Sequence, residues 1–175
     1  MFFSTVDAKN LPELDRDEIL TLNDRQLLEL CRVESFVGSG PGGQHRNRNY
    51  TAVRVIFKAH EELSAEDSVN RSQKQNIASA LQKLRLKIAL SWRKDAPELY
   101  NYTHFNSDNP AYALELAKML DIIKSVKFDH KEAALRLNLS NSKLLKELSR
   151  NAEVWQQFQS ARASFGLMPL KLPRN

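Results

Sequence analysis

The apolar residues of this chain change their spacing near residue 70, and that change limits the architectures open to it. Tyr50 to Phe57, YTAVRVIF, is dense in β-branched and aromatic residues and predicts a strand. Ile77, Leu81, Leu84, Ile88 and Trp92 instead recur at three- and four-residue steps, which puts one apolar stripe on a long helix from about Asn70 to Trp92. A strand followed by such a helix has its cover within reach. Upstream, Arg32 to Val37 alternates as a second strand, and residues 61–67, EELSAED, read as a weaker third. Asn23 and Gln26 have the spacing of a capping box and predict a short helix ending near Cys31. The expected fold is α+β, with a mostly antiparallel sheet of three or four strands packed by the long helix.

Downstream, Ala96 to Asn109 (APELYNYTHFNSDN) is rich in Asn, Asp and Pro and has no period. It predicts a linker, 96–109, between a first domain, 1–95, and a small all-helical domain, 110–175. Asn109-Pro110 should open a helix with proline at its first position, where the missing N–H costs nothing. Asp129 with Glu132, then Ser140, then Asn151 mark three further helix starts, and Trp155, Phe158 and Phe165 should face inward until Gly166 ends the last helix. The segment EAALRLNLSNSKLLKEL reads equally as a helix-turn-helix or as two packed helices of a small bundle.

Charge is unevenly spread. Residues 1–31 carry three Lys/Arg against seven Asp/Glu, whereas 32–94 carry twelve against five. No acid lies between Glu34 and Glu61, a window that holds Arg46, Arg48, Arg54 and Lys58. Such a field suits a polyanion, and nucleic acid ahead of a membrane because no lipid-facing stripe accompanies it. Lys74, Lys83 and Lys87 lie off the apolar stripe and are expected in solvent, with phosphate contact open to them. The one cysteine, Cys31, allows no disulfide within the chain and suits a reducing compartment. Residues 1–18 contain no apolar run fit for a signal peptide or membrane helix, so a cytoplasmic protein is expected.

Four of the five glycines fall between Gly38 and Gly43. Gly38, Gly40 and Gly43 satisfy G-x-G-x-x-G, but that motif needs a helix after its last glycine to hold a pyrophosphate, and here QHRNRNYTAVRVIF leads into a strand. A phosphate loop would need Lys and Ser/Thr where this chain has Gln44 and His45. The remaining reading is a loop that brings bare backbone N–H groups against a reacting centre. The four histidines show no ligand or triad spacing, so neither a metal nor a cofactor is expected, and His45 reads as a polar loop residue.

Ser39-Gly40-Pro41-Gly42-Gly43-Gln44, then Asn47, Thr51-Ala52-Val53-Arg54, and Arg71-Ser72-Gln73 with Asn76 heading the long helix, resemble the catalytic domain of class I peptide chain release factors and their ribosome-rescue relatives. The likeness covers roughly residues 30–93. It departs at Arg46, where the family commonly has an aliphatic residue, and at Arg48, where it has Lys; both keep or raise positive charge. The resemblance implies a peptidyl-tRNA hydrolase that works in the ribosomal A site on the P-site ester. Gly42, Gly43 and Gln44 would be catalytic, with the Gln44 N–H on the developing negative charge and its side chain positioning water. Gln44 would also be the target of a glutamine methyltransferase.

Arg46, Asn47, Arg48, Arg54, Arg71 and Gln73 would contact RNA, Arg54 and Gln73 having the alternative of supporting the loop base or lying free on the surface. The ribosome and peptidyl-tRNA would be the partners of a monomer, without a membrane. A stop-codon-reading domain has no room beside the segments already assigned, which favours codon-independent rescue of stalled ribosomes. The competing readings are a noncatalytic ribosome- or RNA-binding protein and a hydrolase of peptidyl-tRNA already released from the ribosome.

Overall fold

The computed structural model describes residues 15–37 and 50–173. They fall into two compact units divided between Ala89 and Leu90.

The first unit begins with a helix the sequence reading did not foresee, α1 (Arg16–Thr21). Its signal is local: the Asp15 carboxylate accepts from the N–H of Asp17 at 2.7 Å and of Glu18 at 3.2 Å, and both acids sit in the first turn, where the helix dipole favours them. In α2 (Asp24–Glu29) the expected capping box forms in both directions, Gln26 N–H to Asn23 Oδ1 at 3.0 Å and Asn23 N–H to Gln26 Oε1 at 3.1 Å. Lys58 closes its far end by donating from Nζ to the Glu29 carbonyl at 2.9 Å.

Strands β1 (Cys31–Phe36), β2 (Ala52–Phe57) and β3 (Ser64–Asp67) form an antiparallel sheet in that order. Glu34 stands opposite Arg54, and Arg54 opposite Glu66, so the three share one face. Val53, Val55 and Phe57 point to the other face and are fully buried. The cover is α3 (Gln73–Ser91), which buries Leu81, Leu84 and Ile88 as expected. Ile77 is only half-buried, because the deep position in the first turn belongs to Asn76.

Lys83 is exposed, as expected, and Lys87 is half-buried, but both also reach the sheet. Lys83 and Lys87 bind the edge strand: Lys83 Nζ donates to Asp67 Oδ2 at 2.6 Å and to the Glu66 carbonyl at 3.1 Å, and Lys87 Nζ donates to the Ser64 carbonyl at 3.1 Å. Long aliphatic stems let both lysines lie along the helix and deliver charge to the strand's outer carbonyls. This explains how a strand reading Ser-Ala-Glu-Asp holds its place. On the opposite side Arg85 is buried and donates to Asp24 Oδ1 at 2.7 Å and to the Leu22 carbonyl at 2.8 Å, tying α3 to the entry of α2. Cys31 is buried at the start of β1, and desolvation pushes its thiol up to about 11.

The second unit is helical. Residues 96–109, read as a linker, carry no helix or strand, and their backbone is held by N–H bonds from Tyr100 to the Arg136 carbonyl at 2.7 Å and from Tyr102 to that of Leu137 at 3.3 Å. Helix α4 (Tyr112–Ser125) starts two residues after Pro110, which is therefore not its first residue. Asn109 Oδ1 accepts from the Ala111 N–H at 2.9 Å and forms a turn before the helix. Helices α5 (His130–Arg136), α6 (Asn141–Ser149) and α7 (Ala152–Ser164) follow, capped by Asp129, Ser140 and Asn151 as expected. Glu132 does not complete a box, since its carboxylate takes Arg136 at 3.0 Å instead.

Three helices end with the same paired bonds. Past α4, α5 and α7, Lys127, Asn138 and Gly166 adopt positive φ while the following residue reaches back to the carbonyl of Ile123, Ala134 or Arg162. Phe158 is fully buried, but Trp155 is half-buried and Phe165 is 52% exposed, its ring lying 5.4 Å from that of Phe128. Phe165 follows the last helical turn, so the 3.6-residue period no longer governs where it points. No helix among the described residues is long and apolar enough to cross a membrane.

Burial works against the Asp67 carboxylate, but hydrogen bonds from Lys83 and the Val69 N–H outweigh it and hold its pKa below the ordinary 3.8. A depressed folded pKa stabilises above the unfolded value and ceases to do so as pH falls through the folded one. Asp67→Asn is expected to lower unfolding free energy at pH 7 by about 1 kcal/mol, with the gap from the parent closing below pH 3.8. Urea melts at pH 7 and in acid check this, and a gap constant with pH would refute it.

Candidate functional site

Gly42, Gly43, Gln44, Arg46, Asn47 and Arg48 lie outside the described residues. The structure does describe what flanks them in sequence, the end of β1 with Val37 and the approach to β2 through Tyr50 and Thr51, and it describes the first turn of α3. Val37 and Tyr50 are both exposed, at 41% and 63%.

Of the expected RNA-contacting residues, Arg71, Gln73 and Arg54 are described. Arg71 is exposed, two residues before α3, and has no ion-pair partner among the described residues. Gln73 opens the helix, and its Nε2 donates to Ser35 Oγ on β1 at 2.6 Å. Arg54 sits in the middle of β2, with Nε donating to Glu66 Oε1 at 2.6 Å and the guanidinium 3.9 Å from Glu34. The alternation of the strands puts Ser35 and Arg54 on opposite faces of the sheet. Arg71 and Gln73 are two residues apart in sequence at the start of α3, and Arg54 lies on the sheet face opposite the Ser35 that Gln73 bonds.

The face that carries Arg54 is a ladder of alternating charge. Arg32 lies 3.1 Å from Glu34 and 3.6 Å from Glu61, and Arg54 continues the row to Glu66. These side chains, with Ile56 and Ser64, line an open cleft of about 320 Å³. The cations here are matched by acids across the strands, so the positive window seen in the sequence is partly neutralised once folded. Lys58 is engaged as well, on the end of α2.

Two residues that sequence reasoning gave no role stand out. Asn76, fully buried, donates from Nδ2 to the Thr51 carbonyl at 2.7 Å and the Asn70 carbonyl at 2.9 Å, and its Oδ1 accepts from the Asn70 N–H at 2.8 Å. Ser35 takes Gln73. The place of Asn76 in the family pattern after Arg71-Ser72-Gln73 was the available signal for the first; a serine in an alternating strand offered none for the second. Among the described residues no three His, Cys, Asp or Glu side chains gather where they could hold a metal.

The second unit has its own polar centre. Glu147 is buried and accepts from Tyr102 Oη at 3.1 Å and from Arg150 at 3.0 Å, with His104 Nδ1 at 2.7 Å. Burial would raise its pKa, yet these partners outweigh burial and lower it. With Arg150 also donating to the Phe105 carbonyl at 2.7 Å, the cluster pins residues 102–105 and is structural. On α6, Lys143 and Lys146 are exposed while Leu144 and Leu148 are fully buried, a pattern compatible with either reading of the α5–α6 pair.

Comparison with known proteins covers the first unit from α2 onward and the start of the second. The RF-1 domain family matches residues 24–111, ending one residue before α4. "Peptide chain release factor 1" of Paracidovorax citrulli is 41% identical over 78 residues, 45% of this chain and 20% of that protein. The protein of the same name from Nitrosomonas europaea is 38% identical over 85 residues, 49% and 22% of the two chains. "Peptide chain release factor 2" of Rickettsia typhi is 36% identical over 77 residues, 44% and 20%. The chain thus spans about a fifth of the length of the curated relatives it matches. No solved structure matches it.

If the ladder's acids restrain its arginines, Glu34→Gln with Glu66→Gln should raise the salt concentration at which the protein elutes from heparin. Exposed pairs contribute little to stability, so Tm should fall by less than about 4 °C. A large loss of Tm without an elution shift would make the ladder a structural element only.

Proposed function

This chain belongs to the RF-1 domain family, and from that premise we propose that it hydrolyses the ester between nascent peptide and tRNA on the ribosome, without reading a stop codon. The observation that carries the reading is the family match over 24–111, which encloses Gly42-Gly43-Gln44 in sequence. Arg71, exposed and without an acid partner among the described residues, is the described residue best suited to an RNA phosphate.

The chemistry needs no side-chain nucleophile. Water attacks the ester carbonyl, the carbonyl oxygen gains negative charge, and the tetrahedral intermediate collapses with the tRNA ribose oxygen leaving and taking a proton. A backbone N–H fixed near that oxygen stabilises the charge without reorganising as the reaction proceeds. In this reading Gln44 supplies the N–H, Gly42 and Gly43 leave it uncovered by side-chain bulk, and the Gln44 amide positions the water. The same glutamine is the proposed substrate of a methyltransferase.

Residues 112–173 lie beyond the family match and fold as four helices, and recognition of the stalled ribosome is proposed for them, with Arg54, Arg71 and the arginines at 46 and 48 as supporting contacts.

Purified protein added to ribosomes stalled on truncated mRNA, on a stop codon and on a sense codon should free peptide in all three cases. Release on the stop codon alone would overturn codon independence, and release on none would make the protein a noncatalytic binder. Release from isolated peptidyl-tRNA at the same rate would remove the ribosome from the mechanism. Gly43→Ala and Gln44→Ala should each slow release by about 10²- to 10³-fold while circular dichroism and Tm stay at parental values.

A further inference from the structure

The first turn of α3 makes four hydrogen bonds that the sheet and the helix do not require of it. Gln73 and Asn76 are three residues apart and so lie on one side of the helix. Gln73 reaches Ser35, three residues before residue 38; Asn76 reaches Thr51, two residues after residue 49. These are the two stems of the segment 38–49. Thr51 lies one residue outside β2, so its carbonyl is not among the residues paired with β1. The Asn76 amide replaces a ladder partner at the point where the chain enters the sheet.

Asn76 is also saturated. Its Nδ2 serves Thr51 and Asn70, its Oδ1 takes the Asn70 N–H, and at 0% exposure no water stands ready to substitute. A buried amide whose donors and acceptor are all committed defines one geometry, because any shift of either stem orphans a polar group. The same bonds fix Asn70, from which the chain leads to Arg71.

We infer that Gln73 and Asn76 are positioning residues that set the directions in which the chain leaves β1 and enters β2. The inference rests on the reading of 38–49 as the catalytic segment, and for Gln73, exposed like Ser35, it favours support of the loop base over an RNA contact. A backbone donor must be placed to within a fraction of an ångström of the developing charge, so its stems need fixed positions before docking.

The test separates positioning from RNA contact by charge. Gln73→Ala and Ser35→Ala should each lower the single-turnover rate of peptide release by about tenfold at saturating protein, and the double variant should lose no more than either single one. The half-saturating concentration should stay within about twofold of the parent. Gln73→Glu can accept from the Ser35 hydroxyl and should recover most of the rate. An RNA-contacting glutamine would instead be harmed more by Glu than by Ala, with weaker binding and a changed salt dependence, and Ser35→Ala would be neutral.

Trypsin cleavage after Arg46 and Arg48 in the free protein gives a readout that does not need the ribosome. It should quicken in Gln73→Ala and Ser35→Ala, and again no further in the double variant. Asn76→Asp keeps the acceptor for Asn70 but loses both donated bonds, and should quicken it more; if this variant does not fold, the Gln73 and Ser35 pair decides alone. A parent that frees no peptide defeats the catalytic reading, whereas cleavage unchanged in all variants defeats the positioning inference whatever the parent does.

Discussion

A sheet of three short strands buries too little to persist alone, and everything in the first unit depends on how α3 covers it. The apolar part of that cover is ordinary: Leu81, Leu84 and Ile88 against Val53, Val55 and Phe57. The polar part does the specifying. Along its length the helix spends Gln73 on β1, Asn76 on the approach to β2, Lys83 and Lys87 on β3 and Arg85 on the entry to α2. A helix rotated by one residue would keep some apolar contact and lose nearly all of these bonds, so the polar side chains choose among packings that hydrophobicity alone would leave close in energy.

The helical unit solves a related problem with three buried acids. Glu115 accepts from Tyr100 Oη at 2.6 Å and from the Thr103 N–H at 3.1 Å, Asp121 meets Arg93 at 3.0 Å, and Glu147 gathers Tyr102, His104 and Arg150. Each is buried and each has several partners, the condition under which a buried charge is tolerated. Glu115 and Glu147 bind the irregular stretch 100–105, which thereby gains the rigidity that its lack of secondary structure would deny it.

The elements that could be read from the sequence were those with a strong period or a local cap. The α3 stripe, the β2 run and the caps at Asn23, Asp129, Ser140 and Asn151 are all interactions within a few residues, and all are present. What escaped reading depends on partners distant in the chain. The bonds of Lys83 and Lys87 are set only once β3 is placed beside them, and those of Arg54 only once register sets Glu34 and Glu66 on either side of it. Pro110 misled because its capping chemistry belongs to a turn one step before the helix. Gln73 carried a recognisable pattern but not the identity of its partner, since Ser35 is 38 positions away. The family pattern was therefore legible, with support of the loop base open to Gln73, while the partner was not.

Cys31 gives the sheet a spectator with a use. Its thiol is sealed at the head of β1, and with its acidity suppressed it offers almost no thiolate to an alkylating agent at neutral pH. Modification must wait until that end of the strand detaches and water reaches the sulfur. The speed at which an iodoacetamide-type reagent consumes the chain's sole sulfhydryl therefore counts how often β1 comes loose, a clock for opening of the sheet that requires no engineered label.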